Sequence, residues 1–179
     1  MPSREVPVCI TDKRLVVTYS DGEGAEAGVA VAAWASHLQR PLAAVLRVPV
    51  KLRALWRRQR ARAEAAGFPD IQEIEAVGPW FALRMWPALF EGVLWLHFID
   101  NNGALYSLVN GSSSTQATDV VIGATWRRIE AARAIPWFDR VDTKANPVDG
   151  LSRGRYAGPW DVEFFQMSPA DILELGLDG

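Results

Sequence analysis

The sequence predicts an α/β protein with a mixed five-stranded sheet flanked by helices. Two observations support this prediction: the order of strand-like and helix-like segments, and the hydrophobic pattern within them. Three strand-like segments come first and suit an antiparallel meander, whereas the two later ones alternate with helical segments and are expected to be parallel. At 179 residues the chain has the usual length of one domain. We expect a single domain over residues 1–179, with its core at about 15–153 and a C-terminal extension at 154–179.

The meander is predicted from residues 15–20, 28–34 and 42–50, which are rich in β-branched, aromatic or small apolar side chains. The first two segments are separated by an Asp-Gly-Glu-Gly turn signal, so they are close enough to pair as a hairpin. These segments supply the first three strands.

The period then changes to that of a helix. Apolar residues from Leu52 onward recur at helical spacing until Gly67-Phe68-Pro69 ends the pattern. Asp70 is expected to cap the next helix, which carries Glu75, and Pro79 is expected to weaken or kink it.

The second half alternates between strands and helices. Residues 93–99 form a nearly continuous apolar run, as expected of a central strand that is covered on both faces. Residues 115–134 are predicted to be helical, and 135–141 to form the fifth strand. Asn146-Pro147 is expected to begin another helix, since proline is tolerated in the first turn, and Ser168 to open a last short one.

The composition excludes several classes of protein. The net charge of −2 excludes a bulk polycation, so nucleic-acid binding would need a local patch. The single cysteine excludes a disulfide framework and a thiolate zinc site. The sequence contains no apolar run long enough to span a membrane and no signal-peptide pattern. We therefore expect a cytoplasmic or nuclear protein that is neither secreted nor bound to a membrane.

Four acidic residues occupy the ends or first turns of predicted elements. Asp21 closes the first strand, Glu75 lies on the helix after the meander, Asp100 closes the fourth strand, and Asp149 begins the helix after the fifth. If the first and fourth strands are neighbours, Asp21 and Asp100 lie side by side. Clustered carboxylates resist ionising together without a counter-ion, and Mg²⁺ prefers such oxygen ligands.

Each acid also has an ordinary structural explanation. Asp21 could be a turn residue, and Asp149 a first-turn acid that the helix dipole favours. Glu75 could be a solvated helix residue, with Glu73 as a competitor two positions away. The acid after the fourth strand, or its neighbour Asn101, could cap a helix. Only the conjunction of all four favours a metal site.

Four local motifs surround these acids: Tyr-Ser-Asp-Gly at 19–22, Ile-Glu-Ala at 74–76, Phe-Ile-Asp-Asn at 98–101 and Asn-Pro-Val-Asp-Gly-Leu-Ser-Arg at 146–153. Their order on strand, helix, strand and helix resembles the ribonuclease H family. The last motif is the most specific and resembles the ribonuclease H domains of retrotransposon reverse transcriptases. The resemblance covers about residues 15–153.

The resemblance implies a ribonuclease H-like fold and an endonuclease that hydrolyses the RNA strand of RNA–DNA hybrids. It implies two Mg²⁺ ions, with Mn²⁺ as a substitute, about 4 Å apart in such two-metal sites. Asp21 would bridge both ions, Glu75 and Asp100 would hold one, and Asp149 would complete the other. The implied partners are an RNA–DNA hybrid and a reverse transcriptase polymerase domain; the sequence does not indicate an oligomeric state.

The sequence departs from the family pattern in three respects. Residues 139–148 contain no histidine, whereas cellular members carry one in this loop that is associated with product release. Glu23 replaces the small residue usual after the first Asp-Gly. The chain also lacks the polymerase that normally precedes such a domain, so it would be an excised domain or a free-standing relative.

A basic segment is the first candidate for nucleic-acid contact. Six positive charges fall within twelve residues: Lys51, Arg53, Arg57, Arg58, Arg60 and Arg62. They could contact phosphates or form an ordinary solvated helix face. We expect nucleic-acid contacts from this helix and from polar residues near the acids, namely Arg53, Arg57, Arg58, Arg60, Asn101, Asn146, Ser152 and Arg153.

Eight tryptophans are many for this length. We assign most of them to the core, namely Trp34, Trp80, Trp86, Trp95, Trp126 and Trp137, and expect Trp56 to anchor the basic helix. In the extension, Trp160, Phe164 and Phe165 could cover a surface that a polymerase domain contacts. His97, inside the fourth strand, is expected to be a packed core residue and not a ligand.

Two alternatives remain open. Integrases, transposases and junction resolvases also place acidic clusters and two metals on this sheet, and they act on DNA, although they usually lack the Asn-Pro-x-Asp-x-x-Ser-Arg ending. A non-catalytic nucleic-acid-binding domain could also have kept the fold, since fold alone does not determine function. Four retained carboxylates argue against that second alternative.

Overall fold

A computed structural model of the protein describes residues 14–60 and 70–176. Its centre is a six-stranded sheet in the order β5-β4-β1-β2-β3-β6. The strands are β1 (Leu15–Gly22), β2 (Gly28–Ala35), β3 (Leu42–Arg47), β4 (Leu94–Ile99), β5 (Ile135–Arg140) and β6 (Val162–Phe165).

The strand directions confirm the predicted fold class. Strands β1, β2 and β3 form an antiparallel meander, β4 lies parallel to β1, and β5 lies parallel to β4. This is the mixed, ribonuclease H-like sheet. The sixth strand was not predicted: β6 comes from the segment interpreted as an extension, and it pairs in parallel with β3.

Six helices accompany the sheet within the described residues. They are α1 (Val50–Arg60), α2 (Ile71–Met85), α3 (Asn102–Asn110), α4 (Gln116–Ala132), α5 (Asp149–Ser152) and α6 (Pro169–Gly176), with short 3₁₀ turns at Pro87–Phe90 and Thr143–Ala145. The helix predicted to begin at Asn146 is thus the short helix α5, which is four residues long and begins at Asp149. None of the helices described is long and apolar enough to cross a bilayer.

The two faces of the sheet are covered unequally. Side chains of one face, such as Val16, Val31 and Trp95, pack into a large core with α2 and α4. On the opposite face, the residues of β2 and β3 are small and pack against α5 through Val148 and Leu151. Alternation along each strand produces this division. The carboxyl end of β1 therefore lies between α2 on one side and α5 on the other.

His97 is the packed core histidine that the sequence predicts. It is fully buried, with Nδ1 2.7 Å from the Thr18 hydroxyl and Nε2 3.0 Å from the Ser20 hydroxyl. Burial lowers its pKa to about 3, so the ring is neutral and serves as a hydrogen-bonding partner inside the core.

The tryptophan predictions are confirmed in part. Trp56, Trp80 and Trp95 are fully buried, and the Trp56 indole anchors α1 by donating to the carbonyl of Leu175, 2.9 Å away on α6. The prediction for Trp137 is wrong, because 66% of it is exposed. It lies on the edge strand β5, on the sheet face opposite the main core.

The C-terminal aromatic residues belong to the sheet. Trp160 packs edge-on against Trp34, and Phe165 packs against Phe81 in the main core. Only Phe164, on the opposite face of β6, stays 70% exposed. The interpretation that all three cover a polymerase-contacting surface therefore has no support for Trp160 and Phe165.

One of two local predictions about α2 is corrected. The helix continues past Pro79 to Met85, although proline cannot donate to the carbonyl of Glu75 four residues earlier; a kink at Pro79 stays a prediction. Asp70 stands at the start of α2, but its side chain makes no capping hydrogen bond. Its carboxylate instead accepts from the guanidinium groups of Arg53, at 2.6 Å, and Arg57, at 3.1 Å.

This buried ion pair joins three parts of the chain. Asp70 is fully buried, and Arg53, with 14% of its side chain exposed, also donates to the Gly24 carbonyl in the β1–β2 turn. Burial by itself raises the pKa of Asp70, but hydrogen bonds from Arg53 and Arg57 hold that pKa below its ordinary value. The pair therefore fixes α1, α2 and the turn after β1 relative to one another.

We expect Asp70→Asn to lower the free energy of unfolding by about 3 kcal/mol, since it leaves the Arg53 guanidinium without its buried counter-charge. The matched control is Asp161→Asn, because Asp161 pairs with Arg40 while 84% of its side chain is exposed. That change should cost less than about 1 kcal/mol. Urea unfolding of the two variants at pH 7 tests this, and equal costs would contradict a stabilising role for the buried pair.

Candidate metal centre

Three of the four predicted acids meet at one edge of the sheet. Asp21 is at the end of β1, Asp100 follows β4, and Glu75 projects from α2. One carboxylate oxygen from each of the three lies within 4.8 Å of the others. Since β1 and β4 are parallel neighbours, their carboxyl ends share this edge, as the sequence predicts.

Asp21 is fixed from the α5 side. The Ser152 hydroxyl donates a short hydrogen bond to Asp21 Oδ2, and Asp21 is only 3% exposed. Burial raises the pKa of Asp21 to about 6, and the charges of Asp100 and Asp149 add to the rise despite the Ser152 hydrogen bond and the Arg153 charge. The carboxylate is therefore held in a place where its negative charge is unfavourable.

Glu75 is fixed from the α2 side. Its Oε2 accepts a hydrogen bond from the backbone N–H of Gly22 at 3.0 Å. Burial, followed by repulsion from Asp21 and Asp100, raises the pKa of Glu75 well above its ordinary value. A Cβ on Gly22 would lie 3.0 Å from the backbone of Glu75, so any larger residue would have to push β1 and α2 apart by a few tenths of an ångström.

The competing acid on α2 faces elsewhere. Glu73 is fully buried and accepts a hydrogen bond from the Thr118 hydroxyl of α4 at 2.7 Å. The structure therefore brings Glu75, and not Glu73, to the cluster, and Glu75 is also the candidate ligand predicted from the sequence.

Asp149 lies beside the cluster but is engaged differently. Its carboxylate pairs with Arg153 at 2.9 Å and with Arg155 at 3.2 Å. Its charge is close enough to contribute to the raised pKa of Asp21, yet it is not among the three acids whose oxygens converge. Its predicted role as a metal ligand stays a prediction. The pairing with Arg155 was missed, because a contact six residues away across a turn has no helical spacing to indicate it.

The most specific sequence motif turns out to position α5. Asn146 donates to the Ser20 carbonyl at 2.9 Å, and Ser152 holds Asp21 as described above; both residues are buried. A Cβ on Gly28 would lie 2.2 Å from the Ser152 carbonyl oxygen, so glycine there lets α5 lie directly on β2. Direct nucleic-acid contact by Asn146 and Ser152 stays a prediction, whereas Arg153 is exposed and accessible.

Asn101 caps the start of α3, directly after Asp100 of the metal centre. Its side-chain oxygen accepts from the backbone N–H of Ala104 at 3.0 Å, so Asn101 and not Asp100 caps the helix. This cap leaves the Asp100 carboxylate at the cluster. Nucleic-acid contact by Asn101 stays a prediction.

Residues of the predicted basic segment have different surroundings. Arg53 and Arg57 are engaged by Asp70, whereas Lys51 and Arg58 are exposed on α1. The side chain of Arg60 and all of Arg62 lie outside the described residues. Phosphate contact by this segment stays a prediction, and the ion pair with Asp70 gives Arg53 a structural role that the sequence did not indicate.

The converging acids fit a hard divalent cation. All three donors are carboxylate oxygens, which Mg²⁺ and Mn²⁺ prefer. Within residues 14–60 and 70–176, no lysine or arginine forms an ion pair with any of the three. The charge of Arg153 lowers the pKa values of Asp21 and Glu75 but leaves both raised, so the charge of the cluster is not balanced. A divalent ion would supply that balance, and Asp21, Glu75 and Asp100 are the residues that would hold it.

Comparisons with known proteins add little to this picture. No protein-family model matches the chain, and no curated protein matches it. Among solved structures, the chain is similar to the nuclease domain of the human cytomegalovirus terminase, in a Mn-soaked, inhibitor-bound structure, at 11% identity and a TM-score of 0.37. The match covers 84% of this chain and 64% of that domain. Membership of the retroelement group therefore stays a prediction, and the fold assignment rests on strand order.

The raised pKa of Asp21 predicts how the metal-free protein responds to pH. Between the ordinary value of 3.8 and about 6, the folded protein holds a proton that the unfolded chain has lost, so Asp21 lowers stability as pH rises through this window. Asp21→Asn removes this loss and should raise the melting temperature at pH 7 by about 2–6 °C in EDTA. His97 contributes with the opposite sign, since its lowered pKa makes stability rise with pH up to about 6.5. The difference in melting temperature between wild type and Asp21→Asn isolates the contribution of Asp21. A difference that does not grow between pH 4 and 7 would contradict the raised pKa of this carboxyl.

The contact between Gly22 and Glu75 predicts that Gly22→Ala damages the metal centre. The added Cβ must push the Glu75 backbone away, so affinity for Mn²⁺ should fall about 10- to 100-fold, as is typical when a supporting residue of a metal site is changed. The matched control is Gly123→Ala on α4, where a Cβ would meet only the Arg127 side chain at 3.4 Å. Calorimetric titration with Mn²⁺ measures both variants. Equal affinities would show that Gly22 does not set the position of Glu75.

Proposed function

We propose that the protein is a metal-dependent nuclease that hydrolyses phosphodiester bonds at the edge of the sheet where Asp21, Glu75 and Asp100 converge. The observation that supports this proposal is the convergence itself. Three carboxylates, of which Asp21 and Glu75 are buried and Asp100 is partly exposed, are held by different elements and are unfavourable together unless a cation binds between them.

The chain supplies position and charge to this reaction. A bound divalent cation would supply Lewis acidity and lower the pKa of a water molecule. Ser152 fixes the Asp21 carboxylate and Gly22 fixes that of Glu75, so the ligands are oriented before any ion arrives. In hydrolysis a water oxygen bonds to phosphorus while the bond from phosphorus to the leaving 3′ oxygen breaks, and the water proton ends on that oxygen through solvent. No side chain has to act as nucleophile.

The proposed substrate is the RNA strand of an RNA–DNA hybrid, and the proposed cofactor is a pair of Mg²⁺ ions. This finer part of the proposal is supported by the Asn-Pro-x-Asp-x-x-Ser-Arg motif, whose Asn146 and Ser152 hold α5 next to Asp21. Asp149 would take part in holding the second ion only by releasing Arg153 and Arg155. Those two guanidinium groups would then be available to a substrate phosphate.

The test compares two glutamates on one helix. Glu75→Gln should lower cleavage at least about 100-fold, since it removes a charge that holds the ion, while Glu73→Gln keeps the oxygen that accepts from Thr118 and should cleave at close to the wild-type rate. Asp100→Asn should behave like Glu75→Gln. Cleavage of labelled RNA–DNA, RNA–RNA and DNA–DNA duplexes is measured with Mg²⁺, with Mn²⁺ and in EDTA.

Each result has a separate meaning. Metal-dependent cleavage of the hybrid that Glu75→Gln abolishes would support the whole proposal. Cleavage of DNA–DNA duplexes alone would show that the substrate is DNA and not a hybrid, and it would leave the assignment of the metal centre unchanged. The assignment of the metal centre would be overturned if the wild-type protein cleaved neither the hybrid nor the DNA–DNA duplex. It would also be overturned if Glu73→Gln lost activity and Glu75→Gln did not.

A further inference from the structure

A groove of about 890 Å³ opens along the same edge of the sheet, next to the metal centre. The β1–β2 turn, the end of β3, the segment after α5 and the end of β6 form its walls. Ser152 and Arg153 line its near end, and they also contact Asp21 and Asp149 of the site already described. The groove therefore adjoins the metal centre through these two residues, although none of the three converging acids lines it. Its volume is in the upper part of the range for ligand sites, roughly 300–1,000 Å³.

The groove carries an exposed aromatic pair. Phe164 of β6 is 70% exposed and Tyr156 is 41% exposed, and their rings meet edge to face with centroids 5.2 Å apart. Phe164 is adjacent to Val45 in the β3–β6 pairing, and Val45 also lines the groove. Because 70% of Phe164 is exposed, its ring is accessible to a planar ligand.

The charges in the groove are already balanced. Arg47 pairs with Glu26 at 2.5 Å, and Glu23 accepts two backbone hydrogen bonds within its own turn. Together with Arg153, the groove thus contains two acidic and two basic side chains. A neutral groove with an aromatic platform suits the faces of nucleobases better than it suits a row of phosphates. Bases offer such faces only where they are unpaired, since a duplex stacks them against one another.

We propose that this groove binds unpaired nucleotides next to the scissile bond, and that one base stacks on the Phe164–Tyr156 pair. The inference rests on the proposed function, because it places a nucleic-acid strand at the metal centre. It names a substrate class that the metal centre alone does not: a duplex with a single-stranded tail. Bound in this way, the tail would orient the duplex relative to Asp21, Glu75 and Asp100.

The experiment measures binding without cleavage. Fluorescence anisotropy in EDTA compares a blunt RNA–DNA hybrid with the same hybrid carrying an oligothymidylate tail at either end. Wild type should bind one of the tailed hybrids more tightly than the blunt one, and Phe164→Ala should lose this preference, weakening tail binding about 5- to 100-fold. Phe164→Tyr should retain it, which separates loss of stacking from loss of folding. The matched control is Leu173→Ala on α6, since Leu173 is an exposed residue (57%) outside the groove.

A second readout reports stacking directly. A 2-aminopurine base in the tail should lose fluorescence on binding to wild type and to Phe164→Tyr, and keep it with Phe164→Ala. Equal affinity for blunt and tailed hybrids, or unchanged tail binding by Phe164→Ala, would overturn the proposal. Self-association that Phe164→Ala abolishes, with no change in tail binding, would overturn it too by identifying the pair as a protein contact. These binding experiments cut no bond, so their outcomes are independent of the cleavage test with Glu75→Gln and Glu73→Gln. A nuclease that does not bind the tail can therefore be distinguished from a tail-binding protein that has no nuclease activity.

Discussion

The parallel pairing of β1 with β4 is the constraint on which the candidate site depends. The register places Tyr19 opposite Phe98, so two residues further along Asp21 and Asp100 come to the same edge and the same face of the sheet. A slip of one residue would turn one of these carboxylates to the opposite face. The register is held from the core, where His97 of β4 is hydrogen-bonded to Thr18 and Ser20 of β1. A buried, neutral histidine thus helps to align two acids that lie beyond it.

The cluster is held against its own electrostatic repulsion. Burial and like charges raise the pKa values of Asp21 and Glu75, so the metal-free site costs folding free energy at neutral pH. Close backbone packing offsets this cost: Gly22 lets α2 approach β1, and Gly28 lets α5 rest on β2. Functional sites are where such unfavourable arrangements concentrate.

Several arginine side chains form ion pairs within the chain, and these pairs reduce the positive charge on the surface that a substrate would meet. Arg53 and Arg57 neutralise the buried Asp70, and Arg153 and Arg155 neutralise Asp149. The groove beside the metal centre contains two acidic and two basic side chains and an exposed aromatic pair. The proposed recognition of bases next to the site rests on that distribution, and Arg58 of α1 is exposed to solvent.

The sequence by itself determined the five strands, most of the helices and the three acids that converge, because hydrophobic period and turn residues are local properties of the chain. It also determined that His97 is a core residue. Only the tertiary structure decided three features that depend on distant partners. The four residues of β6 become a strand by pairing with β3, and Asp70 binds Arg53 and Arg57 instead of capping α2. Trp137 lies exposed on the sheet face opposite the main core. The position of Asp149 belongs to this second group, because Arg155 reaches it across a turn. The sequence determines which side chains carry a charge, but the packing of the helices and strands determines which groups lie close enough to balance that charge.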